Sequence, residues 1–311
     1  MHPEQLKNCE GQHVPGGRRF REQEELPLRQ ISRREFVATT AVVGAGALAF
    51  PSEQPPPTNS SVGVPRQARQ EVVPVQAVPF PMKNVPRTPD GKVDIKAPAR
   101  RTPDGKPDLQ GFWMPTNPVK HLLNLAADLK PGEVPLQPWA AALYQERIDN
   151  NGKDHPGARC LPSGIPEKDN IPDGLKVVQT PDLIVVLHDS RTIFRQIFLD
   201  GRPLPKNPQP TWMGYSVGHW EGDTLVVETI GQNGKTWLDM RGLPGTESLR
   251  VVERFSRKTI GQMEIAVTID DPKAYTRQWD VKLSWTLQPD TDLIESICEE
   301  NSKDKPHMVG K

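Results

Sequence analysis

From residue 175 onward apolar and polar side chains alternate along the chain, and no other feature restricts its fold so tightly. A side-chain period of two is strand geometry. It is cleanest over residues 278–287, where Trp279, Val281, Leu283, Trp285 and Leu287 share one face and Gln278, Asp280, Lys282, Ser284 and Thr286 the other. The same pattern predicts strands over 175–180, 183–188, 192–199, 213–220, 224–230, 248–257, 263–269 and 293–299. Turn residues separate several of them, as at Pro181-Asp182, Asp200-Gly201 and Glu221-Gly222-Asp223. Strands joined mostly by short turns form an antiparallel meander. A meander hides its edges most completely by closing on itself. The expected fold is therefore mainly β, a lipocalin-like up-and-down barrel, with a β-sandwich as the alternative.

Ahead of the strands the pattern predicts one helix, over 138–150. Pro138 suits a first helical turn, residues 139–148 are good helix formers and Gly152 suits a stop. Residues 150–174, rich in Gly and Pro, read as a long irregular loop. Residues 50–108 hold few large apolar side chains and many prolines, so they cannot bury enough surface to offset the entropy of ordering. They read as an extended linker. Within them Arg87-Thr88-Pro89-Asp90-Gly91-Lys92 recurs as Arg101-Thr102-Pro103-Asp104-Gly105-Lys106, each copy a turn in which Pro presets φ and Gly supplies a positive one.

The first 49 residues have a different character. Arg33-Arg34 precedes a mild apolar run over 37–50 that ends near the small-residue site Ala47-Leu48-Ala49. That order is expected of a cleavable signal for the bacterial twin-arginine route. The run is short and diluted by Thr39, Thr40, Gly44 and Gly46, whereas a spanning helix needs about 20 apolar residues. The expected organisation is a signal over 1–49, a linker over 50–108 and one barrel domain over 109–311. The protein is then periplasmic or secreted, its mature chain lacks a transmembrane span, and the translocation machinery is a partner. With 39 basic and 39 acidic residues the chain has no bulk charge to attract nucleic acid. Cys9 is lost with the signal. Cys160 and Cys298 remain, and in an oxidising compartment they can pair; two separate buried thiols are the alternative.

Three strands carry a carboxylate between apolar residues of the same face: Glu228 between Val226 and Ile230, Glu253 between Val251 and Phe255, and Glu295 between Leu293 and Ile297. Arg195, between Ile193 and Ile197, has the same character. A charge facing a barrel interior is costly unless paired or ligand-bound, so these four are candidates for a polar pocket. The competing reading leaves them in solvent. Trp279 and Trp285 form either core or a ligand wall, and Tyr215 shares a strand face with His219. For acid–base chemistry the weak candidates are His219, Glu253 and Asp271. His219 could act with Tyr215 and Asp239, and Asp271 pairs with Asp270 at a strand end, although Asp before Pro272 also starts turns. Asp154, His155 and Cys160 lack a clear fourth ligand for a metal, and Asp104 and Asp108 lack the further acids of a calcium loop. No nucleophile elbow, phosphate loop or dinucleotide fingerprint is present, so no cofactor is expected.

Several strings carry a resemblance. Arg101-Thr102-Pro103-Asp104-Gly105-Lys106-Pro107-Asp108-Leu109, Trp212-Met213-Gly214-Tyr215-Ser216-Val217-Gly218, Glu221-Gly222-Asp223-Thr224-Leu225 and Thr268-Ile269-Asp270-Asp271-Pro272-Lys273-Ala274-Tyr275-Thr276 resemble a family of exported bacterial proteins with no established activity. The resemblance runs from about residue 101 to the C-terminus. It implies export and a single domain, and carries over no catalytic residue. Ile165-Pro166-Glu167-Lys168-Asp169-Asn170 is more polar than that resemblance leads one to expect. Taken together, the chain reads first as an exported barrel that binds a small molecule. It reads second as a periplasmic hydrolase or isomerase using cavity carboxylates and histidine, and third as an interaction protein with a filled barrel.

Overall fold

The computed structural model describes residue 83 and residues 85–298. The twin-arginine segment with Arg33 and Arg34, most of the proposed linker and residues 299–311 lie outside the described residues. Nine strands close into one barrel in chain order: β1 (Gly111–Pro115), β2 (Leu175–Gln179), β3 (Leu183–His188), β4 (Ile193–Phe198), β5 (Tyr215–Glu221), β6 (Thr224–Ile230), β7 (Arg250–Ser256), β8 (Gln262–Asp270) and β9 (Trp279–Leu287). Eight of the expected strands are present. The ninth is not the C-terminal segment but β1, which pairs with both β2 and β9 and closes the ring.

An odd number of strands cannot alternate in direction all the way round a closed ring, so one neighbouring pair must run parallel. That pair is β4 and β5, joined only at Ile197 with Ser216 and Phe198 with Val217. Parallel neighbours need a crossover of roughly a dozen residues or more, and the proline-rich connection over 199–214 supplies it. The meander expectation holds everywhere else. Of the strand expected over 293–299, the described residues 293–298 form none: Ile294 and Ile297 are exposed, and the segment makes one isolated bridge, Ser296 to Ser190.

The expected helix is α2 (Pro138–Asp149), preceded by a short α1 (Pro118–Leu123) that the sequence reading did not give, because six residues are too few to display a helical period. Two single turns of 3-10 helix, Pro156–Arg159 and Glu167–Asn170, occupy the irregular loop. These elements, with residues 231–249 and 271–278, gather over the barrel end formed by His188, Ile193, Ile230, Arg250, Asp270 and Trp279. We call this end the mouth.

At the opposite end, residues 85–108 are more than a linker. Both copies of the repeated turn form, with Thr88 N donating to Lys92 O at 2.8 Å and Thr102 N to Lys106 O at 2.9 Å. Gly91 and Gly105 take φ near +84° and +80°. Val93 and Ala97 are buried against the barrel, and Ile260 N donates to Ala97 O at 2.9 Å. Main-chain hydrogen bonds to the β7–β8 turn order this stretch where side chains alone would not.

The interior is filled in two tiers. Toward the far end Val177, Ile184, Ile197, Leu225, Phe255, Met263 and Trp285 enclose a void of only about 10 Å3, the volume of roughly one water. Each such side chain contributes about 1.5–3 kcal/mol by leaving water. The tier beneath the mouth is polar.

Candidate functional site

Arg195 lies at the centre of the polar tier. Its Nε donates to Ser216 Oγ at 3.1 Å, its Nη2 to Thr229 Oγ1 at 2.7 Å and to Glu253 Oε2, and its Nη1 to Glu253 Oε1 at 3.3 Å. Ser216 and Thr229 share a hydrogen bond of 2.9 Å. Asp169 enters from above, Oδ2 3.5 Å from Arg195 Nη1, and neither of its carboxyl oxygens has a hydrogen-bond partner among the described residues. The side chains of Arg195, Glu253 and Asp169 are all 2 % exposed or less. Burial, reinforced by the charge of Glu253, pushes the Asp169 carboxyl well above its ordinary range, so it holds its proton while Arg195 pairs with Glu253. Trp285 Nε1 donates to Asp169 O at 3.0 Å, which fixes the Glu167–Asn170 turn as a plug. Beside it Lys168 Nζ donates to Ser190 O at 2.8 Å, and burial brings that amine down to about 8. His188, its Nε2 without a partner, is pushed well below its ordinary value by burial.

The protonation of Asp169 sets a pH dependence. Its folded value lies above the unfolded one, so the folded state binds the extra proton. The stability it contributes is complete below about pH 4 and declines as pH rises toward the folded value. Asp169→Asn mimics the protonated group. Its melting temperature should match that of the parent near pH 4 and exceed it increasingly toward pH 8; a gap that does not widen contradicts the assignment. Asp239, pushed up to about 6 by burial, adds a slope of the same sign below pH 6 that both proteins share.

Above the plug lies a cavity of about 390 Å3, within the range of small-molecule sites. Leu122, Ile171 and Met240 give it an apolar wall, and His155, Ser163, Glu167, Asp173, Ser190 and Arg191 a polar one. His155 Nε2 lies 2.7 Å from Glu167 Oε1, and its Nδ1 accepts from Gly157 N at 3.0 Å. Both ring nitrogens are thereby occupied, with the proton assigned to Nε2 by these partners. His155 also meets Trp237 edge-on at 5.0 Å. Gln232 clamps Ile165 at both main-chain atoms, at 3.1 and 2.9 Å. The residue before it must be glycine, because a Cβ on Gly164 would fall 2.1 Å from Gln232 Oε1. The Cys160–Cys298 disulfide ties this loop to the C-terminal segment.

Arg191 is the most constrained member of the wall. It and Thr192 take φ of +63° and +47° in consecutive positions between β3 and β4, a region that favours glycine and is most strained for a β-branched residue. The backbone is held there while Arg191 Nη1 donates to Ser190 Oγ and Nη2 to Gly157 O, both at 3.2 Å, and Nε is buried without a partner. Ser163 Oγ, in the same wall, is also buried and unpartnered. Strain of about 1–3 kcal/mol per residue persists where surrounding structure enforces it, and often where a ligand uses it.

The structure brings together only part of the expected set. Arg195 and Glu253 face inward and meet. Trp285 and Trp279 also face inward, but as core, Trp285 against Phe255 at 5.5 Å and Trp279 against Tyr275 at 5.4 Å. Glu228 is on the outer wall paired with Arg250, and Glu295 is exposed on the segment that forms no strand. Tyr215 lies outside as well, stacked on Phe198 at 5.2 Å with its hydroxyl accepting from Arg202. His219 is exposed beside Glu221 at the far end. Asp271 is buried at the mouth, where it accepts from Thr246 N at 2.7 Å and Thr246 Oγ1 at 2.8 Å, as a turn-capping carboxylate does. Asp239 is likewise occupied by the amides of Leu125, Gly242 and Leu243. His219, Glu253 and Asp271 therefore do not converge.

Sequence reasoning missed Ser163, Glu167, Lys168, Asp169, His188, Ser190 and Arg191. The one available signal was the polar run over residues 167–170. Among the described residues no group of three or more His, Cys, Asp or Glu could hold a metal ion, and no helix is long and apolar enough to cross a membrane. Comparison with protein-family models, with curated proteins and with solved structures found no match to this chain.

Proposed function

We propose that this protein is an exported carrier or receptor of a small molecule, bound at the barrel mouth rather than along the barrel axis. The observation that carries the reading is Arg191: a strained arginine in the wall of a 390 Å3 cavity, with a buried Nε that nothing satisfies. Buried donors without acceptors are rare in native proteins and call for a partner. A ligand with an acceptor group, such as a carboxylate or hydroxylated ring, would accept from Arg191 Nε and Ser163 Oγ and lay an apolar part against Leu122, Ile171 and Met240. Export is supported by Arg33-Arg34 with its short apolar run, and the Cys160–Cys298 bridge suits an oxidising compartment.

A thermal-shift screen of the full protein against carboxylate and polyol metabolites tests this. A ligand at about 100 times its Kd adds about 2.7 kcal/mol, a rise of roughly 5–10 °C for a domain of this size. Arg191→Gly discriminates. If the arginine is kept for binding, removing it relieves the positive φ and leaves the unliganded protein as stable or more so, by up to about 1 kcal/mol, while the ligand shift disappears. A variant that is destabilised yet still shifts with ligand would make Arg191 structural and defeat the proposal.

A further inference from the structure

The barrel end opposite the mouth holds a second cavity, of about 380 Å3, walled by residues 98–101, Pro107, the β5–β6 turn at Asp223 and the end of β7. Its charged lining is Arg100, Arg101, Arg257 and Lys258 against a single acid, Asp223. Three of these cations have carboxylate partners. Arg100 pairs with Asp108 at 2.9 Å, Arg101 holds both oxygens of Asp223 at 2.8 and 2.7 Å, and Lys258 faces Glu264 at 3.6 Å.

Arg257 differs. It is 4 % exposed, and its guanidinium lies over the Trp113 ring at 4.6 Å. It donates only to main-chain carbonyls, to Thr259 at 3.3 Å, Asp108 at 2.5 Å, Gln110 at 3.1 Å and Ile260 at 2.6 Å. No ion pair to a carboxylate is formed by Arg257 among the described residues. Burial depresses it to about 10, the direction expected of a cation without enough opposing charge. The same wall has an unfilled donor, since Arg100 Nε is buried without a partner. Asp108, the acid whose charge reaches Arg257, is already paired with Arg100 and offsets the burial only in part. A buried positive charge so incompletely balanced is costly to the fold, and guanidinium groups match oxyanions in charge and geometry.

We propose that this cavity is a second binding site, one that takes a phosphate or sulfate group, either free or carried on a lipid headgroup. The oxyanion adds the counter-charge that Asp108, shared with Arg100, does not fully supply to Arg257, and accepts from Arg100 Nε. Lys258 and Arg101, on the open side, steer it in. Because the chain as a whole is neutral, with 39 residues of each sign, the attraction is local to this end.

Titration of the full protein with sodium phosphate or sulfate, against sodium chloride at matched ionic strength, tests the site. The indole N–H resonance of Trp113, under the Arg257 guanidinium, is the readout. A saturable shift with phosphate or sulfate and none with chloride is expected. It should weaken at least tenfold in Arg101→Gln/Lys258→Gln, a variant that removes two exposed charges and leaves the core intact. Co-sedimentation with phosphatidylglycerol vesicles, against phosphatidylcholine vesicles, separates the two sources. Retention on the anionic vesicles without a response to free phosphate assigns the headgroup, and the reverse assigns the free ion. A response no larger than that to chloride together with no vesicle retention overturns the proposal, as does a double variant that behaves like the parent. Arg191 lies at the other end of the barrel, so this outcome and that of the mouth cavity are read separately.

Discussion

Arg195→Met should lower the stability of the folded protein by about 3–5 kcal/mol, the usual cost of leaving a buried charge without its partner. The size follows from what remains. Glu253 would keep a buried carboxylate with no cation, and Ser216 and Thr229 would each lose the guanidinium donor that now satisfies them. Asp169, protonated beside Glu253, could donate a hydrogen bond to it but carries no positive charge to replace the guanidinium. Urea denaturation gives the number directly, as a fall in midpoint at unchanged slope. The triple change Arg195→Met/Glu253→Leu/Asp169→Leu should recover most of the loss, because a well-packed apolar set of similar volume often matches a buried ion pair. Recovery would show that the polar tier is retained for something other than stability. A single Arg195→Met variant within about 0.5 kcal/mol of the parent would mean that the tier is hydrated rather than sealed.

The second large effect belongs to the Cys160–Cys298 bridge. It closes a loop of 138 residues, and in the chain-entropy account a loop of that length is worth about 5 kcal/mol through its restriction of the unfolded chain. Cys298→Ser, or reduction of the parent, should therefore shift the urea midpoint more than any single surface change. The effect should also reach the mouth cavity. Cys160 closes the Pro156–Arg159 turn, whose Gly157 carbonyl receives Arg191 Nη2, so loosening that turn should weaken ligand binding even where the barrel remains folded. Mass spectrometry without reductant checks the premise, and finding Cys160 and Cys298 as free thiols in protein from the cells that make it would remove it.

How far the sequence disclosed this arrangement differs by element. β9 was legible because nine consecutive residues alternate without interruption, and its inward face is core as that pattern requires. β1 was not, since Gly111–Pro115 is five residues bounded by glycine and proline, and only the barrel supplies its two neighbours. Arg195 and Glu253 could be named as pocket candidates because each sits between apolar residues of one strand face. Glu228 shows the limit of that argument. Alternation says which side chains share a face and not which face is inside, and in β6 both faces carry buried residues, Val226 on one side and Leu225 and Val227 on the other. Glu295 had only three residues of pattern behind it. The mouth residues were illegible for a different reason. Lys168 and Asp169 stand in a polar run that reads as exposed loop and are buried by tertiary structure alone, and the positive φ of Arg191 and Thr192 is unsignalled where neither residue is Gly or Asn.

Native mass spectrometry of the intact protein, purified from the cells that make it and sprayed without added ligand, tests the mouth cavity most directly. The account predicts a bound species above the mass of the disulfide-linked chain, released by gentle activation and absent from Arg191→Gly prepared in the same way. A bare chain mass from the parent protein, joined to a thermal-shift screen in which no compound raises its melting temperature, would contradict it.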